Sequence, residues 1–269
     1  MSKIYAMSDI HGCYDAMMRS LNSIDLEPND LFVFIGDYVD VGDKSFQVLN
    51  KIMTLEKEYS DQVIVLLGNH DEWFCNWLFY KKDAMDSYIE DVGFKTVSSF
   101  FDESELDAMM REAQNFATVK DRLRGKDDLL HKKIMESERF EELLQWLKKK
   151  TTEKRYFETE EQIFVHAGID EEAGEYWKVG TTDDIFTGKF PATKGTFYKD
   201  IVSGHINSEI VAKNEDYLGS VYWDGYSHFF IDGNTPKSGV VPVLKYDTMT
   251  SIYSSFDDLN NSWKEYVIK

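Results

Sequence analysis

Two cysteines, four prolines and six histidines are all that 269 residues hold of those types. Each scarcity excludes something. Cys13 and Cys75 are too few for a disulfide framework, so the chain must stand on its own core, and both are expected to be reduced, buried thiols. Basic residues are outnumbered, 30 Lys and Arg against 49 Asp and Glu, for a formal net charge of -19. Without a basic surplus nothing replaces the counterions of duplex nucleic acid, which argues against that partner. An anionic substrate would need local cations, and bound metal ions would supply them. No apolar run approaches the roughly 20 residues of a membrane helix. Ahead of the first strand there is no charged n-region, apolar h-region or small-residue cleavage site, so a cytoplasmic location away from membranes is expected. Repeats and low-complexity linkers are missing too. One domain over 1–269 is the expectation, and with 42% hydrophobic and 29% charged residues it is an ordinary globular one with a substantial core.

What the chain does have is one design used repeatedly. Leu31-Phe32-Val33-Phe34-Ile35 reads as a short buried strand, and it runs into Gly36-Asp37-Tyr38-Val39-Asp40. Gly36 permits a sharp turn, so Asp37 falls at the strand's carboxyl end, where open α/β sheets place ligands. Ile4-Tyr5-Ala6-Met7 likewise leads into Ser8-Asp9-Ile10-His11-Gly12, and Val63-Ile64-Val65-Leu66-Leu67 into Gly68-Asn69-His70-Asp71. Between them, Met17, Met18, Leu21 and Ile24, then Phe46, Leu49, Ile52, Met53 and Leu55, recur at helical spacing. This is a βαβαβ series, implying parallel strands with right-handed crossovers.

From about 72 to 152 the pattern changes to dense charge with apolar residues every three or four positions, and no strand is expected. Phe140, Leu143, Leu144 and Leu147 form an amphipathic stripe ending in Lys148-Lys149-Lys150, which reads as a solvated helix end. The region is expected to be a helical cap inserted over the site. Gln162-Ile163-Phe164-Val165 then runs into His166-Ala167-Gly168, and Ile201-Val202-Ser203-Gly204 into His205. Phe229-Phe230-Ile231 and Val240-Val241-Pro242-Val243-Leu244 are expected as antiparallel strands of a second sheet packed on the first.

Four of the six histidines thus follow an apolar strand through a tight turn. Mixed carboxylate, amide-oxygen and imidazole donors suit hard-to-borderline metal ions, and Asp9, His11, Asp37, Asn69, His166 and His205 provide that mixture at five strand ends. Asp37 is placed to bridge two ions, which at roughly 3.5–4 Å apart would share a hydroxide and polarise a phosphoryl oxygen. His228, among aromatics in an expected strand, reads as structural, His131 in a Lys-rich helix as solvated, and Cys13 as a packed thiol.

The three segments Ser8-Asp9-Ile10-His11-Gly12, Gly36-Asp37-Tyr38-Val39-Asp40-Val41-Gly42 and Gly68-Asn69-His70-Asp71 resemble the signatures of the phosphoprotein phosphatase family of calcineurin-like metallophosphoesterases. His166-Ala167-Gly168-Ile169 and Gly204-His205 resemble its two later histidine motifs. Trp77 and residues 92–100 resemble the bacterial branch, which includes serine/threonine protein phosphatases and symmetrical dinucleoside tetraphosphatases. The resemblance implies a four-layer α/β sandwich of two mixed sheets flanked by helices. It implies Asp9, His11 and Asp37 on a first metal and Asp37, Asn69, His166 and His205 on a second, the ions being manganese, iron or zinc. It also implies His70 as general acid, with Asp40 orienting it. A phosphorylated protein is the expected substrate; a dinucleoside polyphosphate or other nucleotide is the alternative, and a catalytically silent scaffold the second. The chain departs from the family at Val41, where a phosphate-clamping arginine is usual, and at Asp71, where glutamate is frequent. The aromatic and arginine-bearing stretch is echoed only at Tyr176-Trp177-Lys178. Lys178, Arg111, Arg122 or Arg124 are the candidate replacements for the clamp.

Overall fold

Three parallel strands begin the architecture: β1 (Lys3–Met7), β2 (Leu31–Phe34) and β3 (Val63–Val65), with β2 in the middle. Their crossovers are α1 (Tyr14–Leu21) and α2 (Ser45–Glu58). The computed structural model describes residues 2–80, 88–113, 119–257 and 262–266. Alternation along each strand divides its side chains between two cores. Tyr5, Met7, Phe32 and Phe34 face α1, α2 and the helices that follow β3, whereas Ile4, Ala6 and Val33 face a second sheet.

That second sheet has the order β4 (Tyr156–Glu158), β5 (Gln162–Val165), β6 (Asp200–Ser203), β8 (His228–Phe230), β7 (Tyr222–Trp223). Strands β5, β6 and β8 are parallel, and the edges β4 and β7 are antiparallel to their neighbours. Phe164, Val202 and Phe229 meet the inward residues of the first sheet, while Ile163, Val165 and Ile201 pack on Trp177 and Phe186 outside. Helices, sheet, sheet, helices: the layers are those expected, built from two mixed sheets.

The tail corrects one expectation. Of the two expected runs only the first, as β8, joins the second sheet, antiparallel to β7 as expected but parallel to β6. Strands β9 (Leu244–Asp247), β10 (Ile252–Asp257) and β11 (Ser262–Tyr266) instead extend the first sheet antiparallel from β1, in the order β11-β10-β9-β1-β2-β3. Pairing starts only at Leu244, because Pro242 has no N–H for a ladder. Val241 and Val243 are buried against the helical side instead, and the Ser20 hydroxyl donates to the Val241 carbonyl at 2.6 Å.

Between 72 and 152 the described residues hold no strand. The segment comprises α3 (Asn69–Tyr80), a π-helical turn at Ile89–Gly93, α4 (Phe94–Ser98), α5 (Glu103–Ala113), α6 (Val119–Met135) and α7 (Glu141–Lys150). Phe74, Trp77, Val97, Phe100, Phe140, Leu143 and Leu147 share one core with Phe32, Phe34 and α2. Two surface readings are corrected here. Lys150 is 3% exposed, its Nζ held by the Glu56 and Glu153 carboxylates, because α7 ends against the β3 edge and the lysine stem packs there. His131 is half-buried, edge-on to Trp77, with Nε2 3.0 Å from the Leu78 carbonyl oxygen. Of the two free thiols, Cys75 is buried and Cys13 only half-buried, and burial pushes both upward in pKa.

Candidate metal centre

The ligand-type residues leave their strands through turns that ordinary backbone avoids. Asp9, His11, Asp37, Asp40 and His205 have φ of 52°, 48°, 58°, 69° and 67°. This left-handed region costs a non-glycine residue about 1–3 kcal/mol, and such strain collects where function requires it. The turns hold one another in place. The Asp9, His11 and Gly12 amides donate to the carbonyls of Gly36, Asp37 and Tyr38 at 3.0, 3.0 and 2.8 Å. The buried Asp71 carboxylate then accepts from the amides of Asp37, Tyr38 and Gly68 at 2.7, 2.9 and 2.9 Å. In sequence Asp71 differs from the frequent glutamate only by a shorter side chain; its placement makes it the clasp between the second and third loops.

Two glycines admit the carboxylates. A Cβ at Gly68 would lie 2.2 Å from Asp37 Oδ1, and one at Gly204 would lie 1.9 Å from Asp9 Oδ2. Around them the expected residues converge. Asp37 Oδ2 is 3.7 Å from His11 Nε2 and 3.4 Å from His166 Nε2, so one oxygen stands between two imidazoles. Asn69 Oδ1 is 3.1 Å from both His166 Nε2 and His205 Nδ1. Asp9 Oδ1 is 4.0 Å from His11 Nε2, and both Asp9 oxygens accept the His205 amide. His11 and His166 each place Nδ1 2.9 Å from a backbone carbonyl, of Val39 and Ile35, which leaves the Nε2 lone pair pointing inward. Donor atoms of Asp37, His166 and His205 lie within 4.8 Å of one another, as do those of His11, Asp37 and His70. Buried carboxylates and inward imidazoles at this spacing fit divalent cations.

Electrostatics agree with a site built around positive charge. Burial opposes ionisation of Asp37, yet the His166, His11 and His70 rings hold its carboxyl well below the usual range. Burial pushes Asp9 up to about 6. His166 is pulled down by burial, but the charge and hydrogen bond of Asp37 outweigh that and raise it to about 10. His205 goes the other way, to about 4, through burial and the neighbouring His166.

His70 and Asp40 form the adjoining pair, with Nδ1 2.8 Å from Oδ2. Burial lowers the His70 pKa, and the hydrogen bond to Asp40 with the charge of Asp37 more than reverses it. The other oxygen of Asp40 accepts from the Tyr88 hydroxyl and from Thr96 Oγ1, the latter at 2.7 Å. Sequence reading missed both residues, which come from the helical segment. It also missed Asp232, 3% exposed, whose Oδ1 accepts the Asn234 amide at 2.8 Å. Burial raises its pKa, and the Asp9 charge adds to the rise. The signal was available: Asp232 follows the apolar strand β8 as the other acidic residues follow theirs.

Two of the four candidate phosphate clamps are engaged away from the site. Lys178 pairs with Glu158 and Arg111 with Asp107, both on the surface, and the side chains of Arg122 and Arg124 lie outside the described residues. Val41 is 45% exposed, and the cation beside it is Lys95, whose Nζ donates to the Val41 carbonyl at 2.8 Å.

This fold and this convergence of acidic, amide and imidazole donors define a metal-dependent phosphoesterase architecture, and the chain belongs to the calcineurin-like phosphoesterase family, whose model matches residues 2–224. A symmetrical bis(5'-nucleosyl)-tetraphosphatase of Xylella fastidiosa is 39% identical over 69 residues, 25% of this chain and 22% of that protein. A Caenorhabditis elegans protein whose name proposes a serine/threonine-protein phosphatase is 37% identical over 76 residues, 28% of this chain and 21% of that one. The matches thus span about a fifth of these relatives. Among solved structures, a cold-active protein-tyrosine phosphatase of a psychrophilic Shewanella superposes with a TM-score of 0.57 at 17% identity, over 98% of this chain and 80% of that one. A serine/threonine phosphatase of Saccharomyces cerevisiae gives 0.52 at 12% identity, over 98% and 79%. These two likenesses are of fold.

Proposed function

We propose that the protein is a phosphoester hydrolase that works with two divalent metal ions, manganese first among them with iron or zinc as alternatives. The observation that carries this reading is Asp37 Oδ2 between His11 and His166, with the His70–Asp40 pair beside it. Held among these donors, two ions would supply Lewis-acid charge to phosphoryl oxygens and a water of lowered pKa, the expected hydroxide nucleophile. The rest falls to the chain's own side chains. Asp9, His11 and Asp37 would hold one ion, and Asp37, Asn69, His166 and His205 the other. Asp40 fixes Nδ1 of His70, so the proton that can be transferred is on Nε2, where His70 acts as general acid toward the leaving oxygen. Tyr88 and Thr96 hold Asp40 in place through its other oxygen. The helical segment 72–152 acts as the cap and, with its contact to Asp40, is where substrate selection is best sought.

Serine/threonine protein phosphatases and symmetrical tetraphosphatases are both among the named relatives, and the matched segments do not separate them. The deciding experiment is hydrolysis by metal-stripped protein with and without Mn²⁺, on an aryl phosphate, a phosphothreonine peptide and a dinucleoside tetraphosphate. Mn²⁺-dependent turnover supports the hydrolase, and preference for the tetraphosphate would move the reading to a nucleotide hydrolase. Two bound metals with no turnover on any of the three would favour a silent scaffold.

A further inference from the structure

Beside His70 stands a side chain that neither ion binding nor proton transfer uses. Trp73 lies in α3, three residues beyond His70, and its ring centroid is 4.6 Å from that of the imidazole, with the planes tilted by 54°. It is 45% exposed. Of the six tryptophans it alone is exposed, and its neighbours Phe74 and Trp77 are buried. A large apolar ring left open beside the His70 imidazole is a ring with something still to contact.

Resting on the hydrolase reading above, we propose that Trp73 is the platform for the leaving group, and that the site takes aryl phosphomonoesters, in which a planar ring is bonded directly to the leaving oxygen. Distance decides the class. To protonate the leaving oxygen, His70 must come within about 3 Å of it. Whatever is bonded to that oxygen therefore lies within one ring's width of His70, which is where the indole is. Aromatic rings in contact have centroids about 4.5–7 Å apart, so a ring on the oxygen reaches the indole. The side chain of a serine or threonine ester presents no π-face there. A nucleoside base is held away from the scissile phosphorus by its ribose and a further phosphate, and falls beyond Trp73. In the reaction, water oxygen bonds to phosphorus and the phosphorus–oxygen bond to the ring breaks. The ring leaves as a phenol carrying the His70 proton, and inorganic phosphate and solvent take up the protons of the water, from which His70 is reprotonated.

The test uses the full-length, Mn²⁺-loaded protein and its Trp73→Ala and Trp73→Phe variants. The substrates are phenyl phosphate, a phosphotyrosine peptide, a phosphothreonine peptide and a dinucleoside tetraphosphate. The expected result is an aryl-to-alkyl ratio of kcat/KM that falls roughly three- to tenfold in Trp73→Ala and recovers in Trp73→Phe, the scale of one aromatic contact. Whichever of phenyl phosphate and the phosphotyrosine peptide is turned over with higher kcat/KM assigns the source as a free phenol ester or a tyrosyl side chain. An unchanged ratio with turnover intact overturns the proposal. So does a loss confined to the tetraphosphate, which would make the indole a base platform, or a loss confined to the peptide with phenyl phosphate unaffected. Absence of turnover by the wild type on all four removes the hydrolase reading and the proposal with it, so the two failures are distinguishable.

Discussion

His228 and His70 show how one residue type is assigned opposite work by its neighbours. His228 lies inside β8, where it is buried, with Nδ1 3.0 Å from the Gly195 carbonyl and 3.2 Å from Asp224, and Nε2 3.2 Å from Glu171. Both nitrogens are engaged, so it offers nothing to a ligand. Burial pulls it down, but the Asp224 and Glu171 carboxylates raise its pKa to about 9. Lys189 at 3.1 Å from Glu171 and the Asp200 carboxylate complete the charges around the cluster. A pKa raised in the folded state stabilises fully below the unfolded value of about 6.5, and that stabilisation is lost as pH rises through about 9. Denaturation midpoints should therefore decline from pH 6.5 to 9.5 by a stability on the order of 2 kcal/mol, and His228→Gln should flatten that slope. A slope unchanged in the variant would assign the decline to other groups. His70 titrates in service of chemistry instead. His70→Ala should retain its metal content and lose about 10²–10⁴-fold in kcat on an alkyl phosphate, where the leaving oxygen most needs a proton. Full activity of that variant on a poor leaving group would refute the acid. This contrast was legible in the sequence, because His70 comes after a strand and His228 falls within one.

At the scale of elements, the loops matter through their close packing. Gly68 separates β3 from α3, and its hypothetical Cβ meets the Asp37 amide nitrogen at 2.6 Å and His166 Cε1 at 2.8 Å, besides Asp37 Oδ1. None of these is the free end of a flexible chain. Gly68→Ala should fold with lowered stability and lose Mn²⁺ affinity at least tenfold by titration, because Asp37 is displaced from between the two imidazoles. The π-helical turn has a comparable role on the other side. A Cβ at Gly93 would come within 2.1 Å of the Tyr88 ring, so this glycine makes room for the phenol that reaches Asp40. π-turns inside helices recur at functional sites. Removing one hydrogen bond to a charged acceptor costs about 1.5–3 kcal/mol. Tyr88→Phe should accordingly lower kcat by roughly an order of magnitude at little change in KM, with a penalty that grows as the leaving group worsens. A uniform loss across leaving groups would mark Tyr88 as structural only. Helix content in this segment was readable from apolar periodicity, but the partners were not. Lys150 and His131 look solvated in sequence because their neighbours in the chain are polar, and only the landing of α6 and α7 on α3 and β3 buries them. The tail was misassigned for a related reason, since a strand's own residues carry its period but not the sheet it joins.

For the whole molecule, the decisive fact is that the candidate centre is shared by both sheets. Asp9 and His11 follow β1, Asp37 follows β2 and Asn69 follows β3, all in the first sheet, while His166 and His205 follow β5 and β6 in the second. The candidate positions were legible because each falls one turn after an apolar run. Their origin in two facing sheets followed from the family resemblance, whereas the roles of Asp71, Tyr88 and Thr96 were hidden because they lie in contacts across tens of residues. A cation that binds only where two sheets meet binds the folded state and not the unfolded one, so it stabilises by mass action. At a hundredfold excess over Kd, one site contributes about 2.7 kcal/mol. For a chain of this size that is roughly 5–10 °C of Tm per site. Removing metal with a chelator should lower Tm by that amount, and Mn²⁺ should restore it. The shift should vanish in Asp37→Ala, which removes the oxygen between His11 and His166, and survive in His228→Gln, whose cluster lies elsewhere. If Asp37→Ala kept the whole Mn²⁺-dependent shift, the ions would be bound away from this oxygen, and the two-ion centre would have to be abandoned.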